Sequence, residues 1–554
     1  MPRESSLVVN AMPDWTHGRS CDNYHGRPMD PADRDIERTP TLAYGRLAVS
    51  GSVWTTMQTL GNKIVSVAAI YMLSRLLAPG DFGLANFAAS IGAFAFMFPP
   101  YVMGDVLISA PSRFRDRSGA ALVVVCCAGV GLAALVSLSA WPIESLSEKA
   151  GLCVLLLIVA VRPLGDAVMI VPMARLRLDL AFRRIAIIDG TVVLAATLGS
   201  IAFAAIGLGP VAIILPPIAT LMFKGILYWI AVRDEVPLRA VPAEIMPLCR
   251  EFAIAGVGQY LNNIIAIVEV LVLSYFANDA ELGYFAFAFQ LAIQANAIIA
   301  GQLGSVLQPI FGRLHDEPSR QVAAFMRATR FLAAFAVPLS MIQAAVALPL
   351  FVAVFGEKWM PAVPAFCALS LAQGVMFAGA PAVAMLKAQG SFRAYLWLQA
   401  GQLAASLALF VSSLLWGIDR FVSIGEAVGL PMPPGAGPPF AIAMASALVW
   451  SLFLPFAVWV GCRRGNVRLQ ESIGLFLRPI VVSLPCTVAV WTSYRVLADL
   501  PAFGATGAAW TVMLAVAPFA LAIAVGGCCF AHSSTRNDLR SFFVGFRSRI
   551  FRQS

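Results

Sequence analysis

The chain has 554 residues, of which 59% are hydrophobic and only 12% are charged, and its formal net charge is +9. A soluble globular protein has about 25% charged residues. A chain of this length and composition has too little polar surface to cover a water-facing globule, so the composition predicts an integral membrane protein. The ten cysteines form no CxxC pair and no Cys/His cluster, and neither a disulfide framework nor a thiolate metal site is expected.

The two ends of the chain are polar. Residues 1–48 contain several arginines and prolines and no apolar stretch. They are predicted to be a disordered cytoplasmic tail, unless translation starts further downstream. Residues 531–554 are predicted to be a basic cytoplasmic tail. The helical spacing of Phe542, Phe543 and Phe546 there predicts an amphipathic helix on the inner leaflet, and a plain basic tail is the alternative.

Apolar segments follow one another closely from residue 50, and about 20 residues are needed for each crossing of the bilayer. They predict an all-α integral membrane protein with about fourteen transmembrane helices. The predicted helices lie near residues 54–77, 82–108, 118–140, 150–172, 184–206, 209–231, 252–276, 282–311, 328–354, 362–386, 392–416, 437–461, 473–497 and 504–530. Several contain Pro or Gly, which membrane helices tolerate where neighbouring helices satisfy the freed backbone groups.

The distribution of lysine and arginine predicts the orientation of these helices. With the N-terminus in the cytoplasm, most of the 39 basic residues fall in cytoplasmic tails and loops, and few fall in outer loops. This asymmetry follows the positive-inside rule. It places both ends of the chain in the cytoplasm.

Reporter fusions should therefore recover a defined topology, because the orientation of each helix follows from this asymmetry. An alkaline phosphatase fusion is active outside the cytoplasm and a green fluorescent protein fusion inside it. Fusions should report the outer side after residues 145, 279, 358 and 425, and the inner side after residues 115, 318 and 466. A reversed pair in the second half would contradict both the helix count and the internal repeat described next.

Two segments of the first half have similar counterparts in the second half. "LSRLLAPGDFGLANFA" at residues 73–88 matches "LSYFANDAELGYFAFA" at residues 273–288, and "ARLRLDLAFR" at 174–183 matches "AMLKAQGSFR" at 384–393. Both matches are six predicted helices apart. An even number of helices keeps the orientation in the membrane, so the two halves are related by an axis along the bilayer normal. The sequence predicts two parallel six-helix repeats around a central cavity, plus two C-terminal helices.

The repeat also predicts the domain boundaries. The first lobe, helices 1–6, is expected to span residues 49–240, and the second lobe, helices 7–12, residues 241–461. Helices 13 and 14 are expected within residues 462–530.

Motifs for catalysis or nucleotide binding do not occur in the sequence. There is neither a GxxxxGK[ST] phosphate-binding loop nor an HExxH zinc motif, and the chemistry of either depends on those residues at that spacing. The longest predicted outer loop, residues 417–436, is too short for an extracytoplasmic catalytic domain. An enzyme is therefore not expected, and no cofactor or metal is predicted.

Three basic residues lie within predicted helices of the first half: Lys63, Arg162 and Lys224. A basic side chain at bilayer depth costs about 2.5–3.5 kcal/mol, so it normally faces a cavity or a partner. We therefore predict that these three bind an anionic substrate. For Arg162 the alternative is an i,i+4 pair with Asp166, and for Lys224 it is snorkelling toward the inner interface.

Amides and acids in the same helices complete the candidate site. Asn62, Asn262 and Asn263 lie on the repeat-equivalent helices 1 and 7. We predict that they line a hydrated cavity and bind substrate, although amides also form simple interhelical hydrogen bonds. The intramembrane acids Asp166 and Glu269 are the candidates for coupling transport to an ion.

Several motifs resemble those of a known family. "LSRLLAPGDFGL" after helix 1, "ANDAELGYFAFAFQL", "FGEKWMPAVP" at 355–364 and "RLRLDLAFRR" before helix 5 are similar to the polysaccharide transporter family. These are the O-antigen and exopolysaccharide flippases of the multidrug/oligosaccharidyl-lipid/polysaccharide exporter superfamily. The resemblance covers roughly residues 50–410. The long polar N-terminus and the Pro/Gly-rich outer loop "GLPMPPGAGPP" depart from the family pattern.

The resemblance implies two six-helix lobes around a cavity and a substrate, undecaprenyl-diphosphate-linked oligosaccharide, that moves across the bacterial inner membrane. Membrane lipids, a polysaccharide polymerase and the export machinery are the implied partners, and nucleic acid is not. Three alternatives remain at this point. A lipid II (peptidoglycan precursor) flippase needs the same cationic cavity, a cation-coupled multidrug exporter of the same superfamily favours an acidic one, and a membrane polysaccharide polymerase or ligase needs a large outer loop.

Overall fold

The structure is a computed structural model, and all regular secondary structure in its described residues is helical. The described residues are 54, 57–96, 101–109, 113–179, 181–232, 236, 240–300, 307, 311–312, 314, 317–465 and 467–530. They belong to one compact unit, Val53–Ser554. The tail predicted at 1–48 and the amphipathic helix predicted within 531–554 lie outside the described residues.

The first half of this unit contains eight helical segments. Helical residues 57–76 form α1. The chain continues with α2 (Pro79–Ala95), α3 (Tyr101–Ser109), α4 (Phe114–Ser147), α5 (Leu152–Val159), α6 (Arg162–Leu178), α7 (Phe182–Ala205) and α8 (Val211–Val232). A short turn at residues 160–161 separates α5 from α6 just before Pro163, because proline cannot donate the hydrogen bond that would continue the helix.

The second half and the C-terminal pair are also helical. They contain α9 (Pro242–Phe276), α10 (Asp279–Ala300), α11 (Pro318–Ala345), α12 (Ala347–Leu350), α13 (Val363–Gly379), α14 (Pro381–Ala388), α15 (Phe392–Trp416), α16 (Ile418–Ala427), α17 (Gly437–Gly461), α18 (Leu469–Ala498), α19 (Gly504–Thr511) and α20 (Ala517–Phe530). Two π-helical segments, Phe351–Phe355 and Val512–Val516, and two 3₁₀ segments, Glu357–Ala362 and Arg463–Gly465, join them.

The helices confirm the predicted fold class of a multi-pass helical membrane protein. Within the described residues, ten helices or continuous helix pairs are long and apolar enough to cross a membrane. Each of the fourteen predicted intervals overlaps helical residues. The total of fourteen crossings stays a prediction, since α1, α2, α9 and α10 are not among the ten.

The repeated segment forms the crossing of α2 and α10. A Cβ added at Gly83 would overlap the backbone carbonyl oxygen of Asp279, and a Cβ added at Gly283 would overlap that of Pro79. The two glycines are therefore equivalent positions of the repeat that face each other across the crossing. Small residues at such positions allow two membrane helices to approach backbone to backbone.

The segment before α13 closes this crossing from the side. The indole Nε1 of Trp359 donates to the carbonyl of Ser74 at 2.9 Å, and its ring stacks on Phe287 with centroids 4.0 Å apart. Phe82 packs edge-on against both rings. We call this group the α2–α10 seal: the carbonyls at the end of α1, Phe82, Gly83, Gly283, Phe287, Lys358 and Trp359. Trp359, Phe82 and Phe287 are almost completely buried.

The start of α9 packs on the other end of the first half. Arg117 of α4 is buried and bonds to two carboxylates of α9, with Nε 2.9 Å from Glu244 and Nη1 3.1 Å from Glu251. Leu248 and Phe252 of α9 share a hydrophobic core with α3, α4, α6 and α8. Further along α9, the hydroxyl of Tyr260 donates to the carbonyl of Phe94 on α2. Helix α9 therefore contacts helices of the first half as well as α15 of the second, and links the two halves.

Candidate functional site

A cavity of about 620 Å³ opens among α1, α6 and α7. Seven of its ten lining residues are polar, and the lining consists of Gln58, Thr59, Asn62, Lys63, Ser66, Met173, Arg177, Phe182, Ile185 and Asp189. Residues 58, 62 and 66 recur every four positions, so one face of α1 supplies half of the wall. We call this space the first cavity. It contains two cations and one carboxylate, and therefore favours an anionic ligand.

Lys63 connects the first cavity to the second half of the chain. Its Nζ donates to Oε1 of Gln294 on α10 at 2.8 Å, and the side chain is partly buried. A neutral amide oxygen leaves the ammonium charge of Lys63 uncompensated by this contact. An anion in place of the amide oxygen would add the attraction of an opposite charge to the hydrogen bond of the ammonium.

Asp189 of α7 is the centre of a hydrogen-bond network beside the cavity. It accepts bonds from Gln58 of α1 at 3.2 Å, from the hydroxyl of Tyr228 at 2.8 Å and from Nζ of Lys224 at 2.9 Å, the last two residues lying on α8. The carboxylates of Asp189 and Asp166 both interact electrostatically with Lys224. The network holds α1, α7 and α8 in a fixed arrangement and offsets the charge of Lys224.

Arg162 and Asp166 lie at the start of α6, one helical turn apart. Nε of Arg162 is 3.7 Å from Oδ2 of Asp166, and the side chain of Arg162 is 54% exposed within the protein. The i,i+4 contact considered from the sequence is therefore present. Arg162 lies outside the lining of the first cavity and reaches the network only through Asp166 and Lys224.

The structure brings some of the predicted residues together and separates others. Asn62 and Lys63 line the first cavity, and Lys224 lies one contact away through Asp189. Asn263 is partly buried on α9 and is not part of this lining. The side chain of Asn262 lies outside the described residues.

Gln58, Arg177 and Asp189 line the first cavity although the sequence prediction did not include them. The predicted helices near 150–172 and 184–206 leave Arg177 in an inner loop between them, but in the structure it lies in the last turn of α6. Asp189 was visible as an acid within a predicted helix. Pairing that intramembrane acid with the intramembrane Lys224 on the next helix was the signal that could have identified it.

A second cavity, of about 420 Å³, lies entirely within the second half. Helices α9, α10, α13, α14, α15 and α17 line it. Its polar residues are Glu269, Gln373, Gln399 and Gln402, and its wall also contains Tyr395 and Trp450. Glu269, a predicted ion-coupling residue, is only 6% exposed. We call this space the second cavity.

Comparison with known sequences identifies a family and two relatives. Residues 72–364 match the model of the family described as "Polysaccharide biosynthesis protein". The chain is 24% identical over 394 residues to the teichuronic acid biosynthesis protein TuaB of Bacillus subtilis, covering 68% of this chain and 76% of that one. It is 22% identical over 459 residues to the succinoglycan biosynthesis transport protein ExoT of Rhizobium meliloti, covering 80% and 85%.

Solved structures with the same fold are also transporters. The lipid II flippase MurJ in an inward closed conformation aligns with a TM-score of 0.64 at 10% identity, covering 86% of this chain and 98% of MurJ. An inward-facing multidrug resistance transporter of the MATE family in the MOP superfamily aligns with a TM-score of 0.55 at 12% identity, covering 74% and 100%. At these identities the likeness concerns the fold alone.

Proposed function

The chain belongs to the polysaccharide biosynthesis protein family, and from this premise we propose that it is a flippase for undecaprenyl-diphosphate-linked oligosaccharide in the bacterial inner membrane. It carries the lipid from the inner to the outer leaflet by alternating access of its two halves. The partners that we propose are the enzymes that use the flipped lipid: a polysaccharide polymerase and the export machinery. No covalent step is needed.

The observation that carries this proposal is the cationic first cavity. A lipid diphosphate is too polar to cross hydrocarbon without replacement of its hydration. Lys63 and Arg177 face the cavity and can each bind a phosphate oxygen, and Asn62 adds an amide donor. Nη1 of Arg177 lies 4.0 Å from Oδ1 of Asp105, so this arginine shares its charge with a carboxylate and Lys63 is the better-placed ligand. Lys63 exchanges its neutral partner Gln294 for the phosphate, so binding of substrate breaks this hydrogen bond between α1 and α10.

Lys224 and Arg162 take a second role in this scheme. Lys224 is held by Asp189, so it stabilises the diphosphate through its charge and becomes a direct ligand only when that ion pair opens. Arg162 is held less tightly, at 3.7 Å from Asp166, and can meet the substrate at the membrane-facing edge. The lipid tail remains in the bilayer while the headgroup moves through the protein.

Opening and closing require one end of the molecule to be sealed while the other is open. In this proposal the α2–α10 seal, with Trp359 bonded to Ser74, is the contact that closes one end of the space between the halves. Glu269 and Asp166 remain the candidates for coupling this change to an ion, because each is an acid within the helical part of the chain. A gradient-driven cycle would load a proton or metal cation at one of them in one conformation only.

Replacement of Lys63 by glutamine tests the proposal. We expect Lys63→Gln to abolish surface polysaccharide while protein level and membrane insertion stay normal. Lys63 is a cation of the first cavity for which the described residues supply no partner of opposite charge, so its loss removes a charge that is available to the substrate. Lys63→Arg should retain partial function and Lys63→Glu should be worse than glutamine. The measurement is surface polysaccharide normalised to protein in the membrane. Normal polysaccharide in the Lys63→Gln strain would contradict the cationic-cavity assignment.

Arg162 needs a control of its own because it contacts Asp166. If Arg162 binds substrate, Arg162→Gln should abolish transport and the double change with Asp166→Asn should not restore it. Restored polysaccharide in the double variant would assign Arg162 to pairing with Asp166 alone.

Lipid II flipping is the second candidate, since it uses the same kind of anionic headgroup. Proteoliposomes separate the two, with undecaprenyl-diphosphate-linked oligosaccharide in one preparation and lipid II in the other. A multidrug exporter is less favoured, because the ammonium of Lys63 in the cavity would repel cationic drugs.

A further inference from the structure

The second cavity has buried polar atoms for which the described residues supply no hydrogen-bond partner. These are Oε2 of Glu269, Oε1 of Gln373 and Nε2 of Gln402. All three side chains line the cavity, and they are 6%, 3% and 7% exposed. Leaving a buried polar group unpaired costs about 1–3 kcal/mol. Three such groups around one cavity therefore indicate a ligand that both donates and accepts hydrogen bonds.

The rest of the wall is aromatic and apolar. Tyr395 and Trp450 are part of it, with Phe289, Phe377 and Phe453. An apolar drug would fill the cavity and leave the amides and the carboxylate unpaired. A sugar meets both demands, because its hydroxyls donate and accept while the C–H faces of its ring pack on aromatic side chains.

Two successive residues of α10 contact the walls of the two cavities. Ile293 lines the second cavity, and the next residue, Gln294, holds Lys63 of the first cavity. A diphosphate and the sugar attached to it are adjacent in a lipid-linked oligosaccharide. One substrate can therefore occupy both cavities at once.

We propose that the second cavity binds a sugar residue of the lipid-linked substrate, with Glu269, Gln373 and Gln402 as its hydrogen-bonding residues. The inference rests on the proposed function and adds to it the part of the protein that recognises the glycan. The first cavity then binds every undecaprenyl diphosphate, and the second distinguishes glycosylated lipids from bare ones.

The test compares two lipid probes on purified full-length protein in nanodiscs. One is bare undecaprenyl diphosphate, and the other is undecaprenyl diphosphate that carries one sugar, either glucose, galactose or N-acetylglucosamine. For Gln373→Leu and Gln402→Leu we expect binding of at least one glycosylated lipid to weaken about tenfold, the effect of one lost hydrogen bond to a buried group. Binding of the bare lipid should not change.

Lys63→Gln is the comparison variant, because it should weaken binding of the bare lipid and of the glycosylated lipid to the same extent. Loss of folding is controlled by thermal unfolding. One polar atom of each amide is buried without a partner, so replacement of the glutamine by leucine should leave the unfolding temperature nearly unchanged or raise it. Equal binding of glycosylated and bare lipid by wild type, or equal effects of Gln373→Leu on both probes, would overturn the proposal.

Two further outcomes separate this inference from the proposed function. If wild type binds neither lipid, the flippase proposal fails, and the methyl glycosides of the three sugars then test the second cavity alone. Protection of the wild type, but not of Gln402→Leu, against thermal unfolding by a glycoside supports the cavity, and no protection by any of them overturns it. A shift produced by sodium ions and lost in Glu269→Gln, with no effect of any sugar, would assign the cavity to a cation instead.

Discussion

Gly83→Ala should reduce transport about tenfold or more in a protein that still inserts into the membrane. The added Cβ would overlap the carbonyl oxygen of Asp279 and approach the amide nitrogen of Gly283, all of them main-chain contacts. A main chain cannot turn aside as a flexible side chain can, so α2 and α10 must separate. Overpacking of this kind costs about 1–3 kcal/mol or more, and the full cost falls on the sealed conformation.

Surface polysaccharide should therefore fall by about tenfold or more, since each 1.4 kcal/mol shifts a two-state equilibrium tenfold. Gly283→Ala should have the same effect, because its Cβ would overlap the carbonyl of Pro79. The matched control is Gly131→Ala in α4, where a Cβ meets nothing within 4 Å. Normal polysaccharide in the Gly83→Ala strain would mean that the close contact between α2 and α10 plays no part in alternating access.

The double variant Gly80→Cys with Asp279→Cys should lock the seal and stop transport until it is reduced. A Cβ at Gly80 would lie 3.8 Å from the Cβ of Asp279, which is the mean separation of about 3.8 Å found in disulfides. A disulfide there joins α2 to α10 at the crossing. Alternating access then has only one conformation available, so flipping ceases while the bond persists.

The measurement is a gel of protein cleaved at an engineered protease site between α8 and α9, where the two fragments stay joined only through the disulfide. Transport in proteoliposomes should return when dithiothreitol is added. The single variants are essential controls, since Asp279→Cys also removes the ion pair between Asp279 and Lys149. A fully cross-linked protein that still flips lipid would place the moving interface elsewhere.

The sequence predicted the fold class and the repeat because both depend on local patterns. Apolar segments of membrane length and a pair of matching segments can be read directly from the chain. The meaning of the match could not be read in the same way. Gly83 and Gly283 were visible as identical residues, but their backbone contact depends on how α2 crosses α10, and no local pattern records a crossing.

The candidate site was predicted in part for the same reason. Lys63 and Asn62 stand out because charges and amides are rare within membrane helices, and both line the first cavity. Asp189 accepts hydrogen bonds from Gln58 of α1 and Tyr228 of α8, which are 131 and 39 positions away in the sequence. These contacts depend on how the helices pack, which no local sequence pattern shows. Arg177 was assigned to a loop because a basic residue near a helix end fits the positive-inside rule equally well.

The hydrogen bonds of the seal connect side chains of the second half to the main chain of the first. Lys358 donates to the carbonyls of Arg75 and Leu77, each at 3.1 Å, and Trp359 donates to that of Ser74. These carbonyls lie at the C-terminal end of α1, where a helix leaves its last acceptors without an internal partner. Pro79 cannot donate to Arg75 because proline has no N–H.

When the seal opens, water can take over the same acceptors. Exchanging a protein donor for a water molecule changes the free energy by only about 0.5–1.5 kcal/mol for each bond. Water molecules can thus replace the donors of the α2–α10 seal one for one, and no carbonyl acceptor is left without a hydrogen bond when the seal opens. The seal is therefore stable when closed, yet its hydrogen bonds can break and re-form within every turnover. The bonds from Lys358 and Trp359 use only main-chain carbonyls, while the side chain of Arg75 adds a bond in the opposite direction, to the carbonyl of Val354.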